Sequence, residues 1–285
     1  MDCNNNILEI LELKKYYIEF YRGLKEVIMN DHTFAICAYK ESEYLEECIK
    51  SLKNQTVSTN IILATSTPND YISGLCSKYN IEMFVNNGEH DWNFAYAKAD
   101  SKYVTIAHQD DVYEPEYVEN LLSYIQKVDK PIIFFTDYGE LRDGKKVYDN
   151  KLLKIKRIML LPLRRKLFWN SKFVRRRILS LGSPICCPAV TYVKENCPEV
   201  VFKSGFRSDE DWEAWEMLSK RNGAFVYCKK PLTLHRIHED SETSKILGDN
   251  ARTKEDYVMF CKFWPKFIAK ILTKVYGTSE KSNDL

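Results

Sequence analysis

The chain has 285 residues, 45% of them hydrophobic and 29% charged, with a formal net charge of +2. That length supplies apolar material for a large buried core, and the balance excludes a disordered or collagen-like chain. A near-neutral total excludes bulk charge as a recognition device, yet no acid occurs between Asp149 and Glu195, where Lys and Arg are frequent. The nine cysteines are an odd count without a CxxC pair, and no signal-peptide pattern opens the chain. Free, mostly buried thiols in a reducing cytoplasm are expected. No apolar run reaches the ~20 residues of a membrane-spanning helix, so membrane contact must be peripheral.

In chain order, residues 1–30 read as an appended helix, with Ile7, Ile10, Leu11, Tyr17 and Phe20 at roughly helical spacing. Strands are expected at 33–38, 60–64, 81–85, 103–107 and 131–136, and helices near 43–54, 69–79, 91–99 and 115–128. Such alternation predicts an α/β fold, a mainly parallel sheet flanked by helices. Asp143-Gly144 marks a hairpin between short polar-alternating runs. Residues 151–177 are basic with interleaved apolar residues, and 182–192 return the chain to the sheet. A helix over 209–221 and a strand over 224–228 follow. From Tyr257 to Tyr276 the pattern is one amphipathic helix with Lys262, Lys266, Lys270 and Lys274 every four residues and a kink at Pro265. The last nine residues read as disordered. The division is an extension over 1–30, a catalytic-type domain over 31–248, and a helix and tail over 249–285.

Asp110 and Asp111 follow the strand 103–107 and precede a helix opened by Glu114-Pro115. Paired carboxylates at the carboxyl end of such a strand lie where α/β sheets bind ligands, and hard oxygens suit Mg²⁺ or Mn²⁺ with a phosphate. A solvated acidic turn favouring the next helix's positive end is the competing reading. In Ser208-Asp209-Glu210-Asp211-Trp212, Ser208 and Asp211 fit a helix capping box, and Trp212, Trp215 and Leu218 a core stripe. His235 and His238, three apart, need not share a ligand.

Four ordered segments carry a resemblance. Cys37-Ala38-Tyr39-Lys40-Glu41 with Ser51-Leu52-Lys53-Asn54-Gln55-Thr56 resembles the opening loop and helix end of family 2 glycosyltransferases, which have the GT-A fold. Asn86 to Asp111, the segment SDEDWEAW (208–215) and the segment HRIHEDSETS (235–244) resemble the family's later blocks. The resemblance implies transfer of a hexosyl or deoxyhexosyl group from a nucleoside-diphosphate sugar to a glycan or lipid-linked acceptor, with inversion, in a bacterial cell-surface glycan pathway. It implies a divalent metal, Mn²⁺ or Mg²⁺, held by Asp111, Asp110 and His238. Donor contacts fall to Cys37, Ala38, Tyr39, Glu41, Asn93, His108, Gln109, Asp110 and Arg236, and acceptor contacts to Glu210 and Trp212. Asp211 maps to the general base, and Ser241 to the loop that covers the donor.

The chain departs from the family pattern at three places. His108 replaces the first Asp of the acidic motif, Trp92 stands where an Arg is usual, and Leu63-Ala64-Thr65-Ser66-Thr67 has hydroxyls where an acid usually meets the nucleobase. A sugar-nucleotide nucleotidyltransferase is the rival enzyme, but no Gly-rich phosphate loop appears near 34–45. A catalytically inactive scaffold on the same fold is the non-enzymatic rival. Nucleic acid is not an expected partner, since no recognised module accompanies the basic segment. Contact with an anionic membrane at the inner face, through the 150–194 stretch and the lysines of the tail, is one expectation, and packing of the tail on the catalytic domain with its lysines solvated is the other.

Overall fold

The apolar run after Asp31 forms β1 (His32–Ala38), buried almost throughout because strands pair with both of its edges. Strands follow at β2 (Asn60–Thr65), β3 (Glu82–Val85), β4 (Tyr103–His108), β5 (Val112–Tyr113), β6 (Pro131–Arg142), β7 (Lys145–Val147), β8 (Val190–Val193) and β9 (Ala224–Ile237). Helices are α1 (Leu45–Lys53), α2 (Asp70–Tyr79), α3 (Asp91–Lys98), α4 (Tyr117–Ile125), α5 (Lys151–Met159), α6 (Lys172–Leu179), α7 (Glu210–Ser219), α8 (Ala251–Cys261) and α9 (Lys266–Lys281). The computed structural model describes residues 31–203, 205–238 and 251–281. The expected helix over 1–30 and the segment around Ser241 lie outside the described residues.

Among the described residues one nine-stranded sheet runs β3–β2–β1–β4–β8–β6–β9–β5, with β7 paired to β6. The first four strands in that order are parallel, β8 is antiparallel to both neighbours, and β6 and β9 are parallel to each other. The expected α/β architecture is the observed one.

Three elements differ from the reading of the sequence. β6 and β9 each continue well past 136 and 228, because their distal halves pair with one another across a bulge at Asp137 and Pro231. Lys229-Lys230-Pro231 interrupts the apolar pattern, so the run reads as two pieces until its partner strand is present. The tail is two helices, not one: Pro265 has no N–H to continue α8, and its carbonyl instead accepts from Ile268 and Ala269 to start α9. The backbone is helical through Lys281, so the expected disorder of the final nine residues does not extend over 277–281.

The tail helices are docked, not free. Met259, Phe260 and Ala269 belong to the main core. The Trp264 indole N–H donates to the Ser180 carbonyl at 2.8 Å. Phe260 meets Trp212 edge to face at 5.1 Å, and Tyr276 packs at 5.9 Å on the same indole. Each cysteine among the described residues is a free thiol.

Candidate active site

β5 has only two residues, yet it places the acidic pair. Val112 and Tyr113 pair antiparallel with Leu234 and Thr233, which brings Asp110-Asp111 against the end of β9. Asp111 is fully buried. Its Oδ1 accepts from the Arg236 backbone N–H at 2.9 Å and lies 3.0 Å from His235 Nδ1. Its Oδ2 is buried without a hydrogen-bond partner, and so is His108 Nε2. Ligand atoms of His108, Asp110 and Asp111 lie within 4.8 Å of one another. A buried carboxylate oxygen and a buried imidazole nitrogen left unpartnered in one cluster fit a divalent cation.

Charge in the cluster is balanced from within. Burial pushes the Asp111 carboxyl up, but the His235 and His108 imidazoles and the Arg236 N–H outweigh it and hold it below the usual carboxylate range. Burial pulls His235 down, and Asp111 and Asp110 outweigh that, leaving the imidazole raised. His238, expected among the metal ligands, lies outside the three-residue cluster, with Nε2 3.0 Å from Asp110 Oδ2. His235, which sequence reasoning left unassigned, is the residue that orients Asp111.

The donor-side residues divide into two groups. Cys37 and Ala38 end β1, while Tyr39 and Glu41 are exposed beyond it. Gln109 ties this loop to the acidic turn, accepting from Tyr39 N–H at 2.9 Å and donating to Tyr39 O at 3.1 Å. The other two are engaged elsewhere. Asn93 accepts from the Val201 and Phe202 N–H groups and donates to Phe202 O, so its amide clamps 201–202 instead of facing a donor. Arg236 is buried, with its guanidinium on Glu47 at 2.5 Å, on Asp110 O at 2.8 Å and over the Tyr44 ring. Arg236, expected at the diphosphate, is held by these contacts against the acidic turn. Beside the acid-free stretch 63–67, Asp91 accepts from Ser66 Oγ and from Asn86 Nδ2.

The three acids that open α7 have three different states. Burial, with Asp256 and Asp211 adding, pushes Asp209 up to about 9, so it is protonated at neutral pH. Glu210 is 2.6 Å from His90 Nε2. Asp211 is half-enclosed, and desolvation lifts its carboxyl to about 6 against the opposing pull of Lys156. The expected capping box does not form. Ser208 Oγ donates to Glu255 on α8, and Asp211 Oδ1 accepts from the adjacent Trp212 N–H. Trp212, expected to shape the acceptor site, is fully buried, its indole N–H on the Leu179 carbonyl. Its ring packs in the core against Phe260, Phe263 and Tyr276.

Glu255 holds the turn that leads into α7. It accepts from the backbone N–H groups of Arg207, Ser208 and Asp209 at 2.9, 2.7 and 3.2 Å. Burial raises its carboxyl, but these bonds outweigh burial and hold it below 4.5. Glu255→Ala is therefore expected to cost about 1–2 kcal/mol in a neutral-pH thermal melt. A carboxyl lowered by folding contributes stability present above its unfolded pKa and lost as pH falls through the folded one, so parent and variant should converge on acidification.

Lys156 was hidden in the basic segment. Its Nζ donates to Tyr138 OH at 2.9 Å, and its charge acts on both Asp211 and His235. Asp111 and Asp211 in turn both raise the buried Cys186 thiol, burial being the larger cause. The acidic cluster and Asp211 therefore flank one region.

A parallel nucleotide-binding half, an acidic pair at the end of its fourth strand and a separate carboxylate on a later helix define a GT-A glycosyltransferase. The model of Glycosyl transferase family 2 matches residues 33–221, well over half of the chain, and the chain belongs to that family. It is a glycosyltransferase that uses a nucleotide-sugar donor. Three solved structures share the fold at low identity. S. aureus TarS 1–349 in complex with UDP-GlcNAc has a TM-score of 0.56 and 14% identity, over 85% of this chain and 70% of that one. The mannosyltransferase PcManGT from Pyrobaculum calidifontis, in complex with GDP-Man and Mn²⁺, has 0.56 and 11%, over 85% and 69%. Glucosyl-3-phosphoglycerate synthase from Mycobacterium tuberculosis, with Mn²⁺ and UDP-glucose, has 0.52 and 13%, over 85% and 82%. No curated protein sequence matches the chain.

Proposed function

We propose that the protein transfers a hexose from a nucleoside-diphosphate sugar to a hydroxyl of a glycan or lipid-linked acceptor, with inversion, in the assembly of a bacterial surface glycan. The observation that carries the reading is Asp211. Of the three acids opening α7 it is the one neither held neutral nor ion-paired, and a carboxyl near 6 is ionised at neutral pH yet basic enough to take a proton. Asp211 Oδ2 would accept the acceptor hydroxyl proton as the oxygen attacks the anomeric carbon, in a single displacement. A divalent ion held by His108, Asp110 and Asp111 would supply Lewis-acid stabilisation of the leaving diphosphate. Gln109 keeps the loop around Tyr39 and Glu41 in register with that ion site, and Lys156 adds a fixed positive charge between the two halves. The test is release of nucleoside diphosphate from a panel of UDP- and GDP-sugars with Mn²⁺, with and without acceptor glycans. Release from none of them would retire the reading.

Contact with an anionic bilayer is proposed on a separate observation. No helix among the described residues is long and apolar enough to cross a membrane. However, α9 exposes Phe267, Ile271 and Val275 beside Lys266, Lys270 and Lys274, and the basic segment exposes Leu167 (81%) and Phe173 (73%). Lys262, the first of the lysine series, is paired with Glu213 at 2.6 Å. Arg177 lies over both Phe173 and Trp264, which joins the two exposed faces. Apolar side chains ringed by cations suit an anionic surface, each cation contributing on the order of 1 kcal/mol. The protein is expected to pellet with anionic vesicles at low salt, less so at high salt, and not after Phe267→Glu with Ile271→Glu. Absence of pelleting at low salt would leave α9 as a packing helix only.

A further inference from the structure

Glu210, the first residue of α7 and the neighbour of Asp211, is held from a distant part of the chain. His90 Nε2 lies 2.6 Å from its carboxylate, and the two side chains are only 29% and 11% exposed. His90 ends the loop between β3 and α3, and that loop is fixed at several points. The Asn86 N–H donates to the Thr65 carbonyl at 2.8 Å, and the Asn86 side chain accepts from the Gly88 and Glu89 N–H groups and donates to Asp91. Asp91 in turn lies against the ends of β1 and β2, its carbonyl 3.8 Å from the Cys37 sulfur and its carboxylate on Ser66 Oγ. Phe202, clamped by the Asn93 amide, stacks on the His90 imidazole at 6.1 Å with 13° between the rings. His90 Nδ1 is buried without a hydrogen-bond partner among the described residues, so Glu210 and the aromatic neighbours alone orient the ring.

We infer that the His90–Glu210 ion pair is a bridge from the loop after β3 to α7 that positions Asp211 for its proton transfer, with His90 as the positioning residue. The inference rests on the general-base reading proposed above. A pair this enclosed adds little net stability, because desolvation offsets most of the attraction. What it fixes is register: holding Glu210 holds the adjoining carboxylate against the half of the site that carries Cys37 and Tyr39. The bridge also places charge. Burial is the main cause that lifts Asp211; Lys156 from α5 and Arg252 from α8 oppose it, and Glu210 adds to it. Asp209 is protonated, and burial raises the Cys186 and Cys187 thiols and the Tyr192 phenol, so these neighbours are uncharged at neutral pH. At His90 the bond to Glu210, with Asp91 adding, outweighs burial and raises the imidazole. The imidazolium therefore offsets the Glu210 charge that Asp211 feels.

The experiment titrates the Asp211 carboxyl carbon by NMR in the parent, His90→Gln and Glu210→Gln, with steady-state rates measured alongside. Either amide keeps a hydrogen bond across the bridge and removes one charge. Loss of the imidazolium should move the Asp211 titration up, and loss of the carboxylate should move it down, each by a few tenths of a pH unit. The acid limb of kcat/KM should move with it. His90→Ala, which removes the contact itself, should lower kcat about tenfold with the donor KM within about twofold. His90→Gln should recover most of that loss on the plateau of its own pH profile, and the two glutamine variants cover poor folding of His90→Ala. A bridge that served stability alone would lower the melting temperature without opposed shifts. Shifts of one sign, or none, would overturn the inference, as would parental kcat in His90→Ala. If the parent turns over no nucleotide sugar, the transferase reading fails, while opposed carboxyl shifts would still uphold the bridge.

Discussion

Asp211→Asn is expected to reduce turnover by roughly 10²-fold or more, the range general-base removal commands. The amide keeps the size of the side chain and still offers an oxygen to the Trp212 N–H, so the local geometry is retained. Because the amide keeps that bond at the start of α7, thermal stability should change by no more than about 1 kcal/mol. A lifted carboxyl also costs the folded state its charged form: its contribution falls as pH rises from 3.8 through about 6. The amide removes that slope, and stability near neutral pH should if anything rise slightly. In the parent, kcat/KM should decline as pH drops below about 6, where the base is protonated. Steady-state rates across pH, beside differential scanning calorimetry, separate the outcomes. Near-parent turnover in Asp211→Asn would remove it from the chemistry.

Asp111→Asn should abolish the enhancement of nucleoside-diphosphate binding by Mn²⁺ and lower turnover by on the order of 10³-fold, equivalent to several kcal/mol of lost charge stabilisation. The asparagine oxygen can still accept from the Arg236 N–H, so unfolding should remain cooperative. His235 loses its anionic partner in this variant, and its raised pKa should return toward the ordinary imidazole value, a shift visible by NMR titration. Calorimetric titration of UDP and GDP with and without Mn²⁺ is the deciding measurement. If the parent binds nucleotide equally in both conditions, the cluster is not a donor-metal site.

Much of this was legible in the chain itself. From Thr33 to about Ile125 the alternation specified the longer strands and helices to within a few residues, because each apolar period is a local property, while the two-residue β5 escaped it. Asp110 and Asp111 stood out as paired acids after a buried strand, whereas Asp211 read locally as a helix cap and was singled out through the family resemblance. The roles of Asn93, Arg236 and Trp212 were not legible. Each depends on a partner more than thirty residues away: Phe202, Glu47 and Leu179 respectively.

What the sequence by itself determined is the α/β architecture and the family, and it singled out the acids as candidates, since motif order and hydrophobic period are carried by neighbouring residues. Tertiary structure alone decided how those acids behave. The β5–β9 pairing buries Asp111 against His235. The docking of α8 brings Glu255 onto Ser208 and the backbone N–H groups of 207–209, which undoes the apparent local capping box. Enclosure separates Asp209, at about 9, from Asp211, at about 6. Desolvation and opposing charge set those states, and both are properties of what surrounds a side chain in space, which no run of adjacent residues encodes.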